Sequence, residues 1–338
     1  MQSETGEKGE NNMEANYVPI QGKRVLVTGG DGFIGAFLIR RLIEEGARVS
    51  LILKPEKTFL RLKPEKNVLA AYHADLAKKE DLKNLLHRVK PQYVFHLAAL
   101  TAVERETGLL EPLFRVNCQG TLNLMELLLD DAPERIVVAG TCEEYGDSPV
   151  PLGENSPPAP LSPYSAAKAA ATLHTIMLAR TFGLPAVVLR PFLTYGPFQK
   201  PDRLIPGVIL HCLDGKDIPL TPGEQTREFN YVSDMAEAFL MAACAPDVTG
   251  RIINLGCGRE IRIKEMVMKI IGLTESKSRP LFGALPYRPG ESMRFFSDSR
   301  LAGKLLNWRP AVSLEEGLEK TVRWYAENRE SLPREWWS

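Results

Sequence analysis

The chain has 338 residues, 44% of them hydrophobic, which is enough to bury a core in one large domain or two modest ones. Lysine plus arginine equals aspartate plus glutamate at 42 each, so no overall field favours nucleic acid or an anionic membrane surface. The five cysteines are an odd number without metal-type spacing, and no apolar run reaches the ~18 residues needed to span a bilayer. We therefore expect a globular cytoplasmic protein without disulfides, metal ions, or nucleic-acid and membrane partners.

Residues 1–20 are polar and without periodicity, and they are expected to form a mobile tail. A short apolar strand over 25–27 then runs into glycines spaced three residues apart, and a helix is predicted over 37–45. Glycines in this pattern allow a tight turn, a close approach of a pyrophosphate and close packing of the helix on the strand, with the helix N-terminus facing the phosphates. The turn therefore predicts a dinucleotide cofactor. Its candidate contacts are Gly29, Gly32, Phe33, Ile34 and Gly35.

The C-terminal end of the second predicted strand, residues 48–53, decides how the adenosine ribose is held. An acidic residue there would bind the ribose hydroxyls of NAD, but this chain has Leu53 followed by Lys54. Lys57 and Arg61 lie nearby, and cations at this place can pair with a 2′-phosphate. The pattern favours NADP as the cofactor, with NAD as the alternative.

Strand and helix continue to alternate over 68–72, 79–89 and 93–97, which implies a parallel sheet covered by helices on both faces. Asp75 follows a strand end and is either a ligand of the adenine amine or a turn cap. The small residues after the next strand let a dinucleotide lie close to the backbone. The candidate contacts at these strand ends are Asp75, Leu76, Leu97, Ala98 and Ala99.

A long helix is predicted over 110–129, and Asn117 lies in the middle of its apolar pattern. Because a buried amide needs partners, we interpret Asn117 as a structural hydrogen-bonding residue, and His96 likewise as structural. The fifth strand, 135–139, runs into the segment Thr141-Cys142-Glu143-Glu144-Tyr145-Gly146. Strand ends of this kind are where ligands bind in parallel sheets.

Tyr164 and Lys168 are four residues apart on a helix predicted to run to about Phe182, so they share one helix face. A tyrosine with an ordinary pKa near ~10 is a poor base, but a neighbouring ammonium and a cationic nicotinamide stabilise its phenolate. Such a tyrosine can move a proton to or from a sugar hydroxyl while hydride moves to or from the nicotinamide ring. This spacing, following the glycine turn, predicts an acid–base pair.

Together these motifs resemble the extended short-chain dehydrogenases/reductases, in the nucleotide-sugar epimerase and dehydratase group, over about residues 23–327. The resemblance implies a doubly wound (Rossmann) parallel α/β sheet with a smaller C-terminal α/β substrate domain. The dinucleotide-binding domain would cover 21–192 and return at about 230–256, and the substrate domain would cover 193–229 and 257–338. The motifs that carry the resemblance are Thr28 to Gly35, His96 to Ala99, Tyr145-Gly146, Tyr164 with Lys168, Arg190-Pro191-Phe192 and Tyr195-Gly196-Pro197.

The resemblance also implies residue roles. Thr141 matches the catalytic hydroxyl residue, Tyr164 the base, and Lys168 the lysine that holds the nicotinamide ribose. Pro191 matches a cofactor contact, and the family's diphosphate-binding arginines match Arg227 and Arg288. The family commonly dimerises through two helices of each subunit, here those at about 110–129 and 164–182, so a homodimer is expected.

For the reaction, the resemblance implies a bound cofactor and oxidation of a nucleotide-diphosphate sugar at C4. Thr141-Cys142-Glu143 resembles the Thr-x-Glu of GDP-mannose-type dehydratases, in which the carboxylate, here Glu143, removes the C5 proton before hydroxide leaves C6. A 4,6-dehydratase is therefore the first reading, with a 4-epimerase and an NADPH-dependent 4-keto-6-deoxysugar reductase as alternatives. A non-catalytic NADP-binding regulator is the fourth functional hypothesis. Cys142 and Glu144 depart from the pattern, since some dehydratases have an acid at the former.

Overall fold

The computed structural model describes residues 20–55, 61–62, 69–102 and 104–333. The tail expected at 1–20, apart from Ile20, and Lys57 lie outside these residues. The described strands are, in chain order, β1 (Arg24–Thr28), β2 (Arg48–Leu53), β3 (Leu69–His73), β4 (Tyr93–His96), β5 (Arg135–Ala139), β6 (Ala186–Pro191), β7 (Thr194–Tyr195), β8 (Ile218–Leu220), β9 (Thr226–Arg227), β10 (Asn230–Tyr231), β11 (Ile252–Leu255), β12 (Ile261–Arg262), β13 (Pro280–Phe282) and β14 (Arg294–Phe295).

The α-helices alternate with these strands. They are α1 (Phe33–Glu44), α2 (Lys79–Val89), α3 (Leu110–Leu113), α4 (Gly120–Asp130), α5 (Pro163–Phe182), α6 (Leu204–Leu213), α7 (Val232–Cys244), α8 (Ile263–Thr274), α9 (Arg300–Leu306) and α10 (Leu314–Asn328). Within the described ranges, none of the helices combines the length and apolarity that crossing a membrane requires.

A seven-stranded sheet in the order β11-β6-β5-β4-β1-β2-β3 forms the centre of the molecule, and all its neighbouring strands are parallel. Helices α1, α7 and α9 bury their apolar residues on one face, and α2, α4 and α5 bury theirs on the other. Because both faces are covered, the strands are continuous apolar runs instead of alternating ones. The doubly wound α/β fold predicted from the sequence is confirmed.

The sheet order places the candidate functional residues on one edge. In parallel strands all carboxyl ends point the same way, so the residues that follow β1, β4, β5 and β6 are neighbours. Gly29, Leu97 and Thr141 follow the first three of these strands, and Pro191 is the last residue of β6. A separate apolar cluster is built on α6, α8 and α10. Ser313 caps α10 by accepting a 3.2 Å hydrogen bond from the Glu316 N–H.

The helix predicted over 110–129 is not continuous. After α3 the chain forms a π-helical segment over Phe114–Gln119 before α4 begins. A π turn holds an extra residue, so it changes which side chains face inward, and such turns often occur near functional sites. Here Asn117 and Cys118 become fully buried. Helix α1 likewise begins earlier than predicted, at Phe33 directly after the glycine turn.

Candidate active site

The glycine turn after β1 is shaped by close backbone contacts. Gly29 has a φ of +70°, and a Cβ there would lie 2.5 Å from the backbone of the loop after β4. A Cβ on Gly35 would collide with the carbonyl oxygen of Gly29, and one on Gly32 would lie 2.9 Å from the same oxygen. No side chain caps α1, whose first residues are Phe33 and Ile34. The turn therefore leaves space and backbone N–H groups for a pyrophosphate and fits a dinucleotide.

Two further residues shape this turn, and sequence reasoning did not single them out as contacts. A Cβ on Gly30 would lie 2.6 Å from the Leu51 side chain, so only glycine fits between turn and sheet. Asp31 is buried and accepts a 2.9 Å hydrogen bond from the backbone N–H of Arg61. The Arg61 Nε donates to the Phe198 carbonyl at 2.9 Å. The Arg61 guanidinium, which the sequence suggested as a partner of a 2′-phosphate, is therefore hydrogen-bonded to backbone carbonyls.

The ends of β2 and β3 carry the residues predicted to meet the adenosine. Lys54 follows β2 and is exposed. Asp75 accepts a 3.0 Å hydrogen bond from the N–H of Ala77, so it closes a turn, and Arg115 lies 3.6 Å from its other oxygen. Leu76 is buried. The turn role of Asp75 is confirmed, and its contact with adenine stays a prediction.

The loop after β4 is held against the glycine turn by a buried histidine. His96 Nδ1 lies 2.7 Å from the Thr28 hydroxyl, and its Nε2 lies 2.9 Å from the Thr121 hydroxyl. Leu97 and Ala98 donate backbone hydrogen bonds to the carbonyl and hydroxyl oxygens of Thr28. Burial lowers the pKa of His96 to about 3, so the ring is neutral. The structural interpretation of His96 is confirmed.

The next part of this loop is tied to the π-helical segment. The Asn117 side chain accepts a 2.7 Å hydrogen bond from the Leu100 N–H and donates one of 2.9 Å to the Leu100 carbonyl. This pairing confirms the structural interpretation of Asn117. It also holds the neighbouring Ala99, which is half-buried, at the same sheet edge as the glycine turn.

The start of α5 holds the tyrosine and lysine of the predicted acid–base pair. The Ser162 side chain caps the helix by accepting a 3.1 Å hydrogen bond from the N–H three residues on. Tyr164 is buried, and the side chain of Thr141 is close enough to its hydroxyl to lower its pKa. Lys168 is also buried and donates to the carbonyl of Ala139 at the end of β5. The structure thus brings Thr141, Tyr164 and Lys168 together.

Burial acts in opposite directions on the two ionisable groups of α5. It raises the pKa of Tyr164, the neighbouring Thr141 side chain opposes the rise, and the negative charge of Glu143 adds to it. Burial lowers the pKa of Lys168, and the carboxylate of Glu144 opposes this by favouring the ammonium. A positively charged nicotinamide ring in the site would favour the Tyr164 phenolate, as any nearby positive charge, such as the Lys168 ammonium, does.

Glu143 lies in a recess lined by charged side chains. Its surface is open to solvent, but protein atoms surround the recess, and this desolvation raises the pKa of Glu143. The positive charges of Arg227, Arg105 and Arg288 oppose that rise, and Glu291 reinforces it. The two arginines that the resemblance assigns to a diphosphate therefore both act on Glu143. Glu143 itself lies in the short turn that begins at Thr141, which we call the Thr141 turn.

Two residues of this recess, Arg105 and Glu291, were not among the predicted site residues. Glu291 forms an ion pair with Arg227, whose Nη1 also donates to the Ser292 carbonyl at 2.8 Å. Arg105, from the loop after β4, donates to the carbonyl of Gly290 at 3.2 Å. No spacing pattern in the sequence relates Arg105 to this loop, because the two segments are far apart in the chain. Glu291 follows Arg288 closely and could have been proposed from that proximity.

Comparison with known proteins agrees with this geometry. The family model described as the NAD dependent epimerase/dehydratase family matches residues 25–256. The dTDP-glucose 4,6-dehydratase of Neisseria meningitidis serogroup B is 32% identical over 93% of this chain and 95% of that protein. Among solved structures, an epimerase from Methanothermobacter thermautotrophicus has a TM-score of 0.85 and 31% identity, covering 93% of this chain and 95% of that one.

The dTDP-glucose 4,6-dehydratase of Streptomyces venezuelae, solved with NAD bound, has a TM-score of 0.82 and 30% identity, covering 91% of this chain and 98% of that one. The family model spans more than half of this chain, and the relatives align with nearly all of it. These matches confirm the resemblance to extended short-chain dehydrogenases/reductases. With its glycine turn, Tyr164 and Lys168 at one sheet edge, the chain belongs to the NAD-dependent epimerase/dehydratase family.

Proposed function

We propose that this protein is a 4,6-dehydratase of a nucleotide-diphosphate sugar, acting through transient oxidation at C4. The observation that carries the proposal is the position of Glu143, a carboxylate in the turn that begins at Thr141, close enough to Tyr164 to raise its pKa. Desolvation raises the pKa of Glu143 itself, as suits a carboxylate that must take up a proton. Relatives named dTDP-glucose 4,6-dehydratase support this reading.

The dinucleotide would be held along the edge formed by β1, β2, β3, β4 and β6. The glycine turn and the N-terminus of α1 would bind the pyrophosphate, and Lys168 the nicotinamide ribose. When bound, the nicotinamide supplies a hydride acceptor that is restored by the end of turnover, so the net reaction is the loss of one water. The other proposed contacts are Lys54, Asp75, Leu76, Leu97, Ala98, Ala99 and Pro191.

The protein's own side chains would move the protons. Tyr164, assisted by Thr141 and the Lys168 ammonium, takes the proton of the C4 hydroxyl as the 4-keto group forms. The keto group makes the C5 proton acidic, and Glu143 removes it. Hydroxide then leaves C6 and forms water with the proton taken by Glu143. The C5=C6 double bond that results takes back a hydride at C6 and a proton at C5, which balances the hydride and the proton lost at C4. Cys142 is buried, and burial raises the pKa of its thiol, so it stays neutral through these steps.

The region 193–229 together with 257–338 is proposed to hold the sugar nucleotide. The charges of its residues Arg227 and Arg288 act on Glu143, and a diphosphate bound beside that residue would meet two guanidinium groups. Because Arg227 is paired with Glu291, a diphosphate must compete with that carboxylate. The Glu291 carboxylate beside Arg227 indicates that a negative charge can be accommodated there.

A 4-epimerase is the second candidate, and the neutral thiol of Cys142 favours it. A dehydratase with an acid beside the catalytic carboxylate has a dedicated proton donor for the C6 hydroxyl, whereas here Glu143 must serve alone. Epimerisation needs no such base. Hydride leaves C4 and returns to the other face of the 4-keto sugar, and Tyr164 takes and returns the hydroxyl proton. The epimerase among the structural neighbours is consistent with this alternative.

The mass of the product decides between the candidates. Incubation with dTDP-glucose and a panel of other nucleotide sugars, with NAD or NADP present, is expected to give a product lighter by one water. An unchanged mass with altered stereochemistry at C4 would establish the epimerase, and a gain of two hydrogens from a 4-keto substrate would establish the reductase. Tight dinucleotide binding without turnover of any sugar would instead support a non-catalytic regulator.

NADP is expected to bind more tightly than NAD. Lys54, exposed at the end of β2, can pair with a 2′-phosphate, and no carboxylate occupies the end of that strand. Because Arg61 is engaged with backbone carbonyls, the preference should depend on Lys54 and fall in Lys54→Ala. Calorimetric titration with both dinucleotides measures it, and equal or tighter binding of NAD would contradict it.

The protein is expected to be a homodimer through α5 and the α3 to π-helical region. Large apolar side chains lie exposed on these elements: Leu110 is 55% exposed, Phe114 52%, Leu173 55% and Met177 41%. A face of this kind on a globular protein indicates a protein contact. Light scattering should give twice the chain mass, and Leu173→Glu should give the chain mass. A monomeric wild-type protein in dilute solution would contradict the prediction.

A cytoplasmic location is proposed on the grounds of cysteine usage. The odd number of cysteines and their lack of pairing pattern suit a reducing compartment. Fractionation of the native host, followed by immunodetection, tests the location.

A further inference from the structure

We propose that the buried pair of Glu144 and Arg190 is a positioning element that docks the Thr141 turn onto the face of α5 that carries Tyr164 and Lys168. The inference deepens the proposed function and rests on it for the roles of these residues. Neither Glu144 nor Arg190 would touch the sugar, so both would act through the residues that do.

Glu144 connects three parts of the site through its four hydrogen bonds. Oε1 accepts from the backbone N–H of Thr141 at 2.9 Å and from the hydroxyl of Thr172 at 3.0 Å. Oε2 accepts from Nε and Nη2 of Arg190, at 2.9 and 2.7 Å. Each oxygen of the Glu144 carboxylate thus accepts two hydrogen bonds, and a fully buried carboxylate requires such partners.

The bond to Thr172 connects the turn to the catalytic helix face. Thr172 follows Lys168 by four residues, as Lys168 follows Tyr164, so the three side chains lie in one row along α5. The carboxylate of Glu144 therefore fixes Thr141 relative to the row that contains Tyr164. The glycine at position 140 leaves room for this carboxylate, because a Cβ on Gly140 would lie 2.8 Å from Oε1.

Arg190 anchors the carboxylate from the next strand. It lies at the end of β6, and its guanidinium stacks on the ring of Tyr145 at 4.4 Å. The Tyr145 hydroxyl donates a 2.7 Å hydrogen bond to Asn254 of β11. The Thr141 turn is therefore fastened to β5, β6, β11 and α5 at once, and its geometry is set before any ligand binds.

The pair also influences the charges of the site. The negative charge of Glu144 favours the Lys168 ammonium and disfavours the Tyr164 phenolate. The other groups that face Tyr164 are Thr141, Cys142 and Glu143, and the positive charge of Lys168 also reaches His96. Loss of the Glu144 charge should therefore move the ionisation of both Tyr164 and Lys168 to lower pH.

Two double variants that share one substitution separate geometry from charge. Glu144→Gln with Arg190→Met removes both charges but keeps an oxygen for Thr141 and Thr172. Glu144→Leu with Arg190→Met removes the charges and the hydrogen bonds, and apolar replacement of a whole buried pair is generally tolerated by the fold. Single variants would leave one buried charge unpaired. Thr172→Val, which leaves the ion pair in place, is the third variant.

The measurements are NAD affinity, kcat and KM for the nucleotide sugar, and the ultraviolet titration of the Tyr164 phenolate, obtained by subtracting a Tyr164→Phe spectrum. We expect the Leu double variant to bind NAD and sugar within about threefold of wild type but to lose about 100-fold in kcat, as misplacement of a catalytic group does. The Gln double variant should keep kcat within about tenfold. Tyr164 should titrate at lower pH in it, because, of the two charges removed, it is that of Glu144, and not that of Arg190, which acts on the pKa of Tyr164. Thr172→Val should lower kcat by roughly fivefold with KM unchanged.

Equal kcat values for the two double variants would overturn the geometric role, and so would an unchanged kcat in Thr172→Val. A Tyr164 titration in the Gln double variant that coincides with wild type would overturn the electrostatic role. The titration needs no sugar, so it decides this question even if the wild-type enzyme turns over no nucleotide sugar, which would refute the proposed function alone.

Discussion

Tyr164→Phe is expected to lower the turnover of the C4 hydroxyl by about 10²- to 10⁴-fold, the usual contribution of a positioned acid–base group. The phenyl ring keeps the volume of the buried side chain, but it cannot accept the C4 hydroxyl proton or bond to Thr141. Every reaction that begins at C4 depends on this proton, so dehydration and epimerisation should both be lost. Single-turnover measurement of nicotinamide absorbance with substrate follows the first step directly.

A matched control is Tyr93→Phe, at a buried tyrosine of the central sheet. Tyr93 begins β4, at the opposite edge, and its hydroxyl donates a 3.0 Å hydrogen bond to Glu134. This variant should turn over substrate at the wild-type rate. If Tyr164→Phe retained more than about a tenth of the wild-type rate while NAD affinity was unchanged, Tyr164 would not be the base.

Glu143→Gln is expected to abolish water loss, by a similar factor of about 10²- to 10⁴-fold, while oxidation at C4 continues. The amide keeps the shape of the side chain but cannot accept the C5 proton. Cofactor affinity should be unchanged, and reduced nicotinamide should accumulate in the presence of substrate. Product mass and nicotinamide absorbance, measured in one reaction, separate the two steps.

The pH dependence of water loss provides a further test of whether Glu143 is the base that removes the C5 proton. Desolvation raises the pKa of this carboxyl above that of an ordinary glutamate, and a base is lost as it becomes protonated. In the wild type, the rate should therefore fall with decreasing pH at a higher pH than an ordinary glutamate would produce. Glu143→Asp, which keeps a carboxylate, should dehydrate at least about tenfold faster than Glu143→Gln. Dehydration by Glu143→Gln at the wild-type rate would refute the assignment and leave the epimerase as the leading candidate.

Sequence patterns predicted the fold class because they report short-range constraints. The apolar run before Gly29 and the glycine spacing that follows it are adjacent in the chain. Gly32 and Gly35 are required by contacts within the turn, and Gly29 by its positive φ. Tyr164 and Lys168 could be placed on one face because helix geometry alone sets that relation. The break of the helix predicted over 110–129 was not foreseen. The π turn contains Asn117, whose partner is the Leu100 backbone in a separate loop, and a local pattern does not show such a partner.

By itself, then, the sequence determined the doubly wound sheet, the dinucleotide turn and the row of Tyr164 and Lys168 on α5. Only the tertiary structure decided which charges surround Glu143 and what holds Thr141. Arg105 meets the Gly290 carbonyl across 185 residues of chain, and Arg190 meets Glu144 across 46. Such partners are chosen by which strand ends become neighbours when the sheet forms, and a local pattern holds no information about that. The directions of the pKa shifts follow from these contacts and from burial, so they too arise only in the folded chain.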